Sequence, residues 1–146
     1  MNVLNIHGYK GTPHNAAYGT LEITGGSITG NKAGAGGNGG GISYSGGTIS
    51  LSGSPVITGN TEAGGSSNDL FIWNPTDRKL AINGNLSSSA KIGVRLENNA
   101  TETPFTTGLS GKGTYSNFVS NYDDRYIRLN GSGEAIFKTA YTITVA

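Results

Sequence analysis

The sequence predicts an all-β chain, folded as a short right-handed parallel β-helix with a β-rich C-terminal cap. Three observations carry this expectation. First, one line is written twice. Thr20-Leu21-Glu22-Ile23-Thr24-Gly25-Gly26-Ser27-Ile28-Thr29-Gly30-Asn31 returns as Thr48-Ile49-Ser50-Leu51-Ser52-Gly53-Ser54-Pro55-Val56-Ile57-Thr58-Gly59-Asn60, offset by 28 residues and by 29 after one insertion near Pro55. A period of that size marks stacked units, none of which buries its apolar side without a neighbour. Second, apolar residues come as period-two beads (Leu21/Ile23, Ile49/Leu51, Leu80/Ile82), each placing two side chains on one face of a short strand. Third, no window of a dozen residues carries apolar residues at helical spacing without Gly or Pro intruding.

Composition narrows the class. The 146 residues are enough for one structural domain with a continuous core. With 25 glycines and only 13% charged residues the bias is unusual. Disordered chains, however, are typically charged and lack spaced Ile, Leu and Val, so the beads read as strands and the Gly-rich pieces as turns. A formal net charge of +1 with no run of Lys or Arg gives no electrostatic basis for a nucleic-acid partner. No apolar span of 18 residues exists, so membrane insertion through a helix is not expected. Zero cysteines exclude disulfides, zinc-thiolate sites and thiol catalysis, and are neutral about compartment.

The elements follow in order. Residues 1–18 are a leader or incomplete cap outside the repeat, without the apolar core of a secretion signal. The chain therefore reads either as intracellular or as an excised piece of a longer exported protein. Residues 19–97 form the repeat body. Residues 98–146 form a C-terminal coil and cap, richer in aromatics and charge. The first unit predicts strands over 21–24, 27–29 and, after a loop, 41–44. The second predicts 48–52, 56–58 and 69–73; a third, degenerate unit predicts 80–83, Leu86 and 92–96. Three strands per turn describe about three coils, stacked at the ~4.8 Å hydrogen-bonding distance. Corners then take Gly or Asn, which tolerate positive φ. Asn31 and Asn60 share one repeat position, where left-handed geometry and amide hydrogen bonds along the stack are expected.

Three phrases make a resemblance specific: Gly39-Gly40-Gly41-Ile42-Ser43-Tyr44-Ser45-Gly46-Gly47-Thr48-Ile49, Ser54-Pro55-Val56-Ile57-Thr58-Gly59-Asn60-Thr61 and Asn68-Asp69-Leu70-Phe71-Ile72. They resemble the rungs of right-handed β-helix repeats in large bacterial surface proteins, of the pectate-lyase-like and polymorphic outer-membrane-protein-like kinds. The likeness covers about residues 19–97, and 98–137 resembles the segment that ends such arrays. It implies an extracellular or cell-surface setting. For activity it implies little, because that fold hosts lyases, hydrolases, adhesins and inert stalks.

Several motifs fail on their own chemistry. His7 and His14 lie seven apart around Lys10, with no third ligand nearby, so no metal site is expected. Val3-Leu4-Asn5-Ile6-His7-Gly8-Tyr9 is similar to the first strand and turn of serine α/β-hydrolases, but no Gly-x-Ser-x-Gly elbow follows. Gly34-Ala35-Gly36-Gly37-Asn38-Gly39 satisfies G-x-G-x-x-G, yet leads into another turn and strand rather than a helix. The run Gly36-Gly37-Asn38-Gly39-Gly40-Gly41-Ile42 approaches a calcium-binding nonapeptide but has Gly41 where the ligating aspartate belongs. Thr24, Thr29 and Thr58 recur without forming the regular rank of an ice-binding face. No cofactor is expected.

What remains is a set of surface candidates. Trp73 is expected to face outward, since Leu70 and Ile72 point in. Tyr115, Tyr122 and Tyr126 surround an acidic turn, where they either plug an open coil end or offer platforms to sugar rings. Asp123, Asp124 and Arg125 are the catalytic alternative, although adjacent strand residues face opposite sides and do not naturally converge on one bond. The expected function is a noncatalytic adhesion or structural module presenting a rigid face to glycans or to host or matrix proteins. A carbohydrate-active lyase or hydrolase is the alternative, and self-association through open coil ends a further expectation.

Overall fold

The structure, a computed structural model, describes residues 6–7, 19–141, 143 and 145. It is a parallel β-solenoid of about four turns, one more than the repeat suggests, with three faces. The first face stacks β2 (Thr20–Ile23), β5 (Thr48–Gly53), β8 (Leu80–Leu86) and β10 (Thr106–Thr107) in parallel, with β1 (Ile6–His7) antiparallel on the outside of β2. The second stacks β3 (Ser27–Ile28), β6 (Val56–Ile57), the start of β9 (Lys91–Leu96) and β11 (Phe118–Ser120). The third stacks β4 (Ile42–Tyr44), β7 (Leu70–Ile72) and the end of β9. An antiparallel hairpin, β12 (Arg125–Leu129) with β13 (Ala135–Thr139), follows.

The twice-written line appears directly as register. Leu21 pairs Ile49 and Ile49 pairs Leu80; Ile23, Leu51 and Ile82 align likewise. Ile28, Ile57, Ile92 and Phe118 form the second ladder, and Ile42, Leu70 and Val94 the third. These inward side chains are the core, and Ile23, Leu51, Leu70, Ile72, Leu80, Ile92 and Val94 are fully buried. The first coil is the looser end: Leu21, Ile28 and Ile42 are only half-buried against that core. At the other end Phe105, Phe118 and Phe137 pack ring against ring, at 5.5 and 5.1 Å, and the hairpin adds Ile127 and Ala135.

The third coil differs from its expected outline. Leu86 is not a strand of its own but the end of β8, paired with Gly53 across a bulge. Nor is the second strand of that coil separate from the third, since β9 serves both faces. Where the first two coils insert the loops 29–41 and 58–69, the third turns its corner at Gly93.

A buried polar column explains why that corner is glycine. Asn31 donates its backbone N–H and Nδ2 to Asn60 Oδ1, at 3.1 and 3.0 Å. Asn60, fully buried, donates its backbone N–H and Nδ2 to Asp69 Oδ1, at 2.7 and 2.9 Å, and Nδ2 also reaches Ile28 O at 2.8 Å. Asn121 Nδ2 donates to Asp69 Oδ2 at 2.8 Å, and the Asp69 N–H returns to Asn121 Oδ1 at 2.8 Å. The amide stacking expected of Asn31 and Asn60 is present. The left-handed residue is the preceding glycine, Gly30 at φ 72 and Gly59 at φ 73, and not the asparagine. The Asp69 carboxylate rests directly on Gly93, where an added Cβ would lie 1.9 Å from Asp69 Oδ2. The G-x-G-x-x-G loop leads into the same kind of close approach: a Cβ on Gly40, the residue that follows it, would strike Thr61 O at 2.3 Å, so the backbone there lies flat against the next coil.

Gly93→Ala should therefore cost about 1–3 kcal/mol through overpacking. Asp69→Ala should cost a similar amount by stranding Asn60 and Asn121. In the double variant the Gly93→Ala penalty should shrink, because the atom it strikes is gone. Urea unfolding of the four proteins checks this; strictly additive losses would contradict the contact.

Candidate functional site

The polar column ends at the floor of a groove of about 530 Å³. The second coil's corner loop supplies Gly65, Ser66 and Ser67 to one wall, and β9 supplies Arg95. The end of β11 supplies Ser120, and the turn from β11 to β12 supplies Asn121, Tyr122, Asp123 and Asp124. Asn121 anchors that turn through Asp69 and through its own N–H to Val94 O at 3.1 Å. Arg95 lies outward on β9 in register with Ser43 and Phe71, and its Nη1 donates to Asn121 O at 3.3 Å. Ser120 Oγ accepts from the Tyr122 N–H at 3.2 Å, which tightens the turn. Asp123 and Asp124 are exposed.

Tyr122 has two tasks. Its hydroxyl donates to Leu96 O at 2.8 Å and accepts from the Leu96 N–H at 3.0 Å, standing in for the third-face strand that the fourth coil lacks. Its ring carries two guanidinium groups, Arg95 at 4.7 Å and Arg125 at 4.5 Å, and meets Phe137 edge-on at 5.2 Å. The π surface of Tyr122 is thus already engaged, so a sugar stacking there has to displace a guanidinium. This side chain caps the stack more than it offers a platform.

The remaining candidates separate. Arg125 leaves the groove to Asp123 and Asp124 and turns onto Tyr122, with Asp124 Oδ1 at 3.9 Å from its Nε. Its Nε and Nη1 are buried without hydrogen-bond partners. Trp73 is half-buried on the outside of the third face, where it meets outward-facing Phe71 edge-on at 4.8 Å and donates Nε1–H to Ser43 Oγ at 2.9 Å. It shields Phe71, which is only 6% exposed despite pointing away from the core. Tyr115 and Tyr126 stand together elsewhere, on either side of Arg128. His7 lies in β1, while His14 and Lys10 lie outside the described residues.

Sequence reasoning missed Arg95, Ser66 and Ser67. The repeat held the signal for Arg95, since 43, 71 and 95 are aligned outward positions; the two serines come from a loop with no periodic mark. Most other acids of the C-terminal half are committed to structure. Glu134 accepts from Thr106 Oγ1 at 2.6 Å and Gly108 N at 2.8 Å, Glu97 from Asn74 N at 2.8 Å, and Glu102 pairs Lys138 at 2.7 Å. The groove therefore combines two exposed carboxylates, that of Asp124 3.9 Å from Arg125 Nε, with the Arg95 guanidinium and several hydroxyls. A glycosidase pair needs one carboxyl in a dry, apolar setting, and neither of these stands in one. No cluster of three or more metal-ligating acids or histidines occurs among the described residues.

Tyr122→Phe keeps the ring and removes only the hydroxyl. It should lower stability by about 1–3 kcal/mol by exposing the unpaired end of β9. Urea unfolding measures it, and an unchanged midpoint would remove the capping role.

Comparison with protein-family models, with curated proteins and with solved structures finds no match to this chain.

Proposed function

We propose that the chain is a noncatalytic adhesion or structural module of a bacterial cell-surface protein, displaying the groove on a rigid solenoid to recognise a saccharide. The carrying observation is the groove's lining. A donor (Arg95) and acceptors (Asp123, Asp124) flank hydroxyls that serve as either (Ser66, Ser67, Ser120), within about 530 Å³. A sugar presents alternating donors and acceptors of the same kind, and a preformed wall spares the ordering cost of binding. Rigidity comes from below, since the turn is tied through Asn121 to the buried column. The extracellular setting follows the resemblance of the repeat units to surface-protein rungs.

On a saccharide array followed by calorimetry, binding without product release is expected. Asp123→Ala combined with Asp124→Ala should weaken it about 10–100-fold, the value of one or two charge-assisted hydrogen bonds. Sustained release of product from pectin or alginate, abolished by Asp123→Asn, would instead support a lyase or hydrolase. Absence of any saccharide binding would remove the reading.

One observation favours a second reading, association of copies through the solenoid ends. Tyr141, Ile143 and Val145 alternate along the chain at 88, 85 and 88% exposure. Large apolar residues at every second position are the sequence pattern of a strand that pairs with another sheet edge. Light scattering should then show mass rising with concentration, and Ile143→Lys should return the protein to monomer. A monomer at all concentrations would end this reading.

A further inference from the structure

We propose that Asn99 is a glycan attachment site, receiving an oligosaccharide from a lipid diphosphate carrier after export of the chain. The inference rests on the cell-surface setting proposed above and goes beyond it, by assigning a covalent modification to the module. An Asn-x-Ser/Thr acceptor, with any residue but proline between, marks surface loops of exported proteins. The chain contains three: Asn85-Leu86-Ser87, Asn99-Ala100-Thr101 and Asn130-Gly131-Ser132. The structure separates them. Asn85 stands in β8, and the hydroxyl that should assist it is engaged: Ser87 Oγ bonds Ser54 Oγ and Ser89 Oγ, each at 2.8 Å. The Ser87 N–H is also tied, to Gly53 O at 2.8 Å. Asn130 closes the β12–β13 turn, where its Oδ1 accepts from the Ser132 and Glu134 N–H groups at 2.9 and 3.0 Å, so its carboxamide is held in place.

Asn99 has neither tie. Among the described residues its carboxamide and the Thr101 hydroxyl make no hydrogen bond, and no backbone group from Asn98 to Thr101 bonds to another coil. Asn99 is exposed at the end of the 3₁₀ turn Glu97–Asn99, which leaves β9. Asn98, Asn99 and Glu102 take positive φ, at 56, 51 and 62, so the chain here follows no rung. Ala100, extended at φ −56 and ψ 135, packs against the core and pins the middle of the acceptor. Left-handed geometry accounts for asparagine at 98 and 99, but it makes no demand for a hydroxyl at 101. Glu97, two residues before the acceptor, is held by the Asn74 N–H on its Oε2 at 2.8 Å, which fixes a negative charge for a cationic transferase groove to read. Asn83 and Arg128 stand at the corresponding places before Asn85 and Asn130. In the step itself Asn99 Nδ2 bonds to the anomeric carbon of the first sugar. The bond from that carbon to the carrier's diphosphate oxygen breaks, the diphosphate keeps the electron pair, and Nδ2 gives up one proton to a base of the transferase.

The test incubates the purified, folded chain with membranes holding a bacterial oligosaccharyltransferase and its lipid-linked oligosaccharide. An unrelated acceptor protein in the same reaction reports that the enzyme is active. Intact mass should rise by one glycan, and peptide mapping should place it on Asn99. Asn99→Gln and Thr101→Val should abolish the gain, Thr101→Ser should keep it, and Asn85→Gln and Asn130→Gln should leave it unchanged. Unfolding midpoints of the Asn99→Gln and Thr101→Val proteins should stay at the wild-type value, which separates a lost acceptor from a lost fold. An unmodified chain beside a modified control, or a glycan on Asn85 or Asn130 in place of Asn99, overturns the proposal. If Asn99 stays bare while the saccharide array still shows binding, only this site fails. If the array is blank as well, the module reading fails with it.

Discussion

The structure depends on one constraint: every strand of the solenoid must find its backbone partner in the coil above or below, in the correct register. Parallel pairing allows no local hairpin to set that register, and a slip of one residue turns each side chain to the opposite face. Two devices hold it here. The ladders Leu21–Ile49–Leu80 and Ile28–Ile57–Ile92 lose their burial if a coil shifts. The column Asn31–Asn60–Asp69–Asn121 loses its hydrogen bonds by the same shift. An apolar ladder tolerates sliding between similar side chains, but a buried carboxylate with three specific donors does not.

The same constraint governs the end of the stack. The last coil has no successor, so its exposed groups need other partners. Tyr122 gives β9 a hydroxyl in place of a strand, and Glu134 accepts from Thr106 Oγ1 and the Gly108 N–H beside β10. The hairpin lays Ile127, Ala135 and Phe137 over the core. The aromatics of the C-terminal third therefore divide by depth. Phe105, Phe118, Phe137 and Tyr122 close the core, whereas Tyr115 and Tyr126 are half-exposed around a single arginine.

The groove is a consequence of an omission. The first two coils carry long corner loops, and the third turns at Gly93 alone. The loop of the second coil and the turn at 120–124 then overhang a gap, with Arg95 between them. Asp69 links these facts, because its carboxylate occupies the space above Gly93 and tethers Asn121 at the groove floor. One buried aspartate thus sets the third coil's corner and fixes the position of the turn that carries Asp123 and Asp124.

The all-β class, the stacking of coils and the pairing of Ile28 with Ile57 were legible in the sequence, because a repeat writes each inward position more than once. So was the shared role of Asn31 and Asn60. Of the fourth coil only its presence within the C-terminal coil and cap of 98–146 was legible, and its strands were not, since β10 and β11 are short and carry no copy of the repeated line. The division of Asp123, Asp124 and Arg125 between groove and cap was equally hidden. It depends on how Tyr122 stands against Arg95, which comes from the coil before. Sequence periodicity determines what faces inward because burial acts on every rung alike. Which outward side chains meet is decided only when the coils close, since those contacts join residues such as Arg95 and Tyr122 that no local pattern relates.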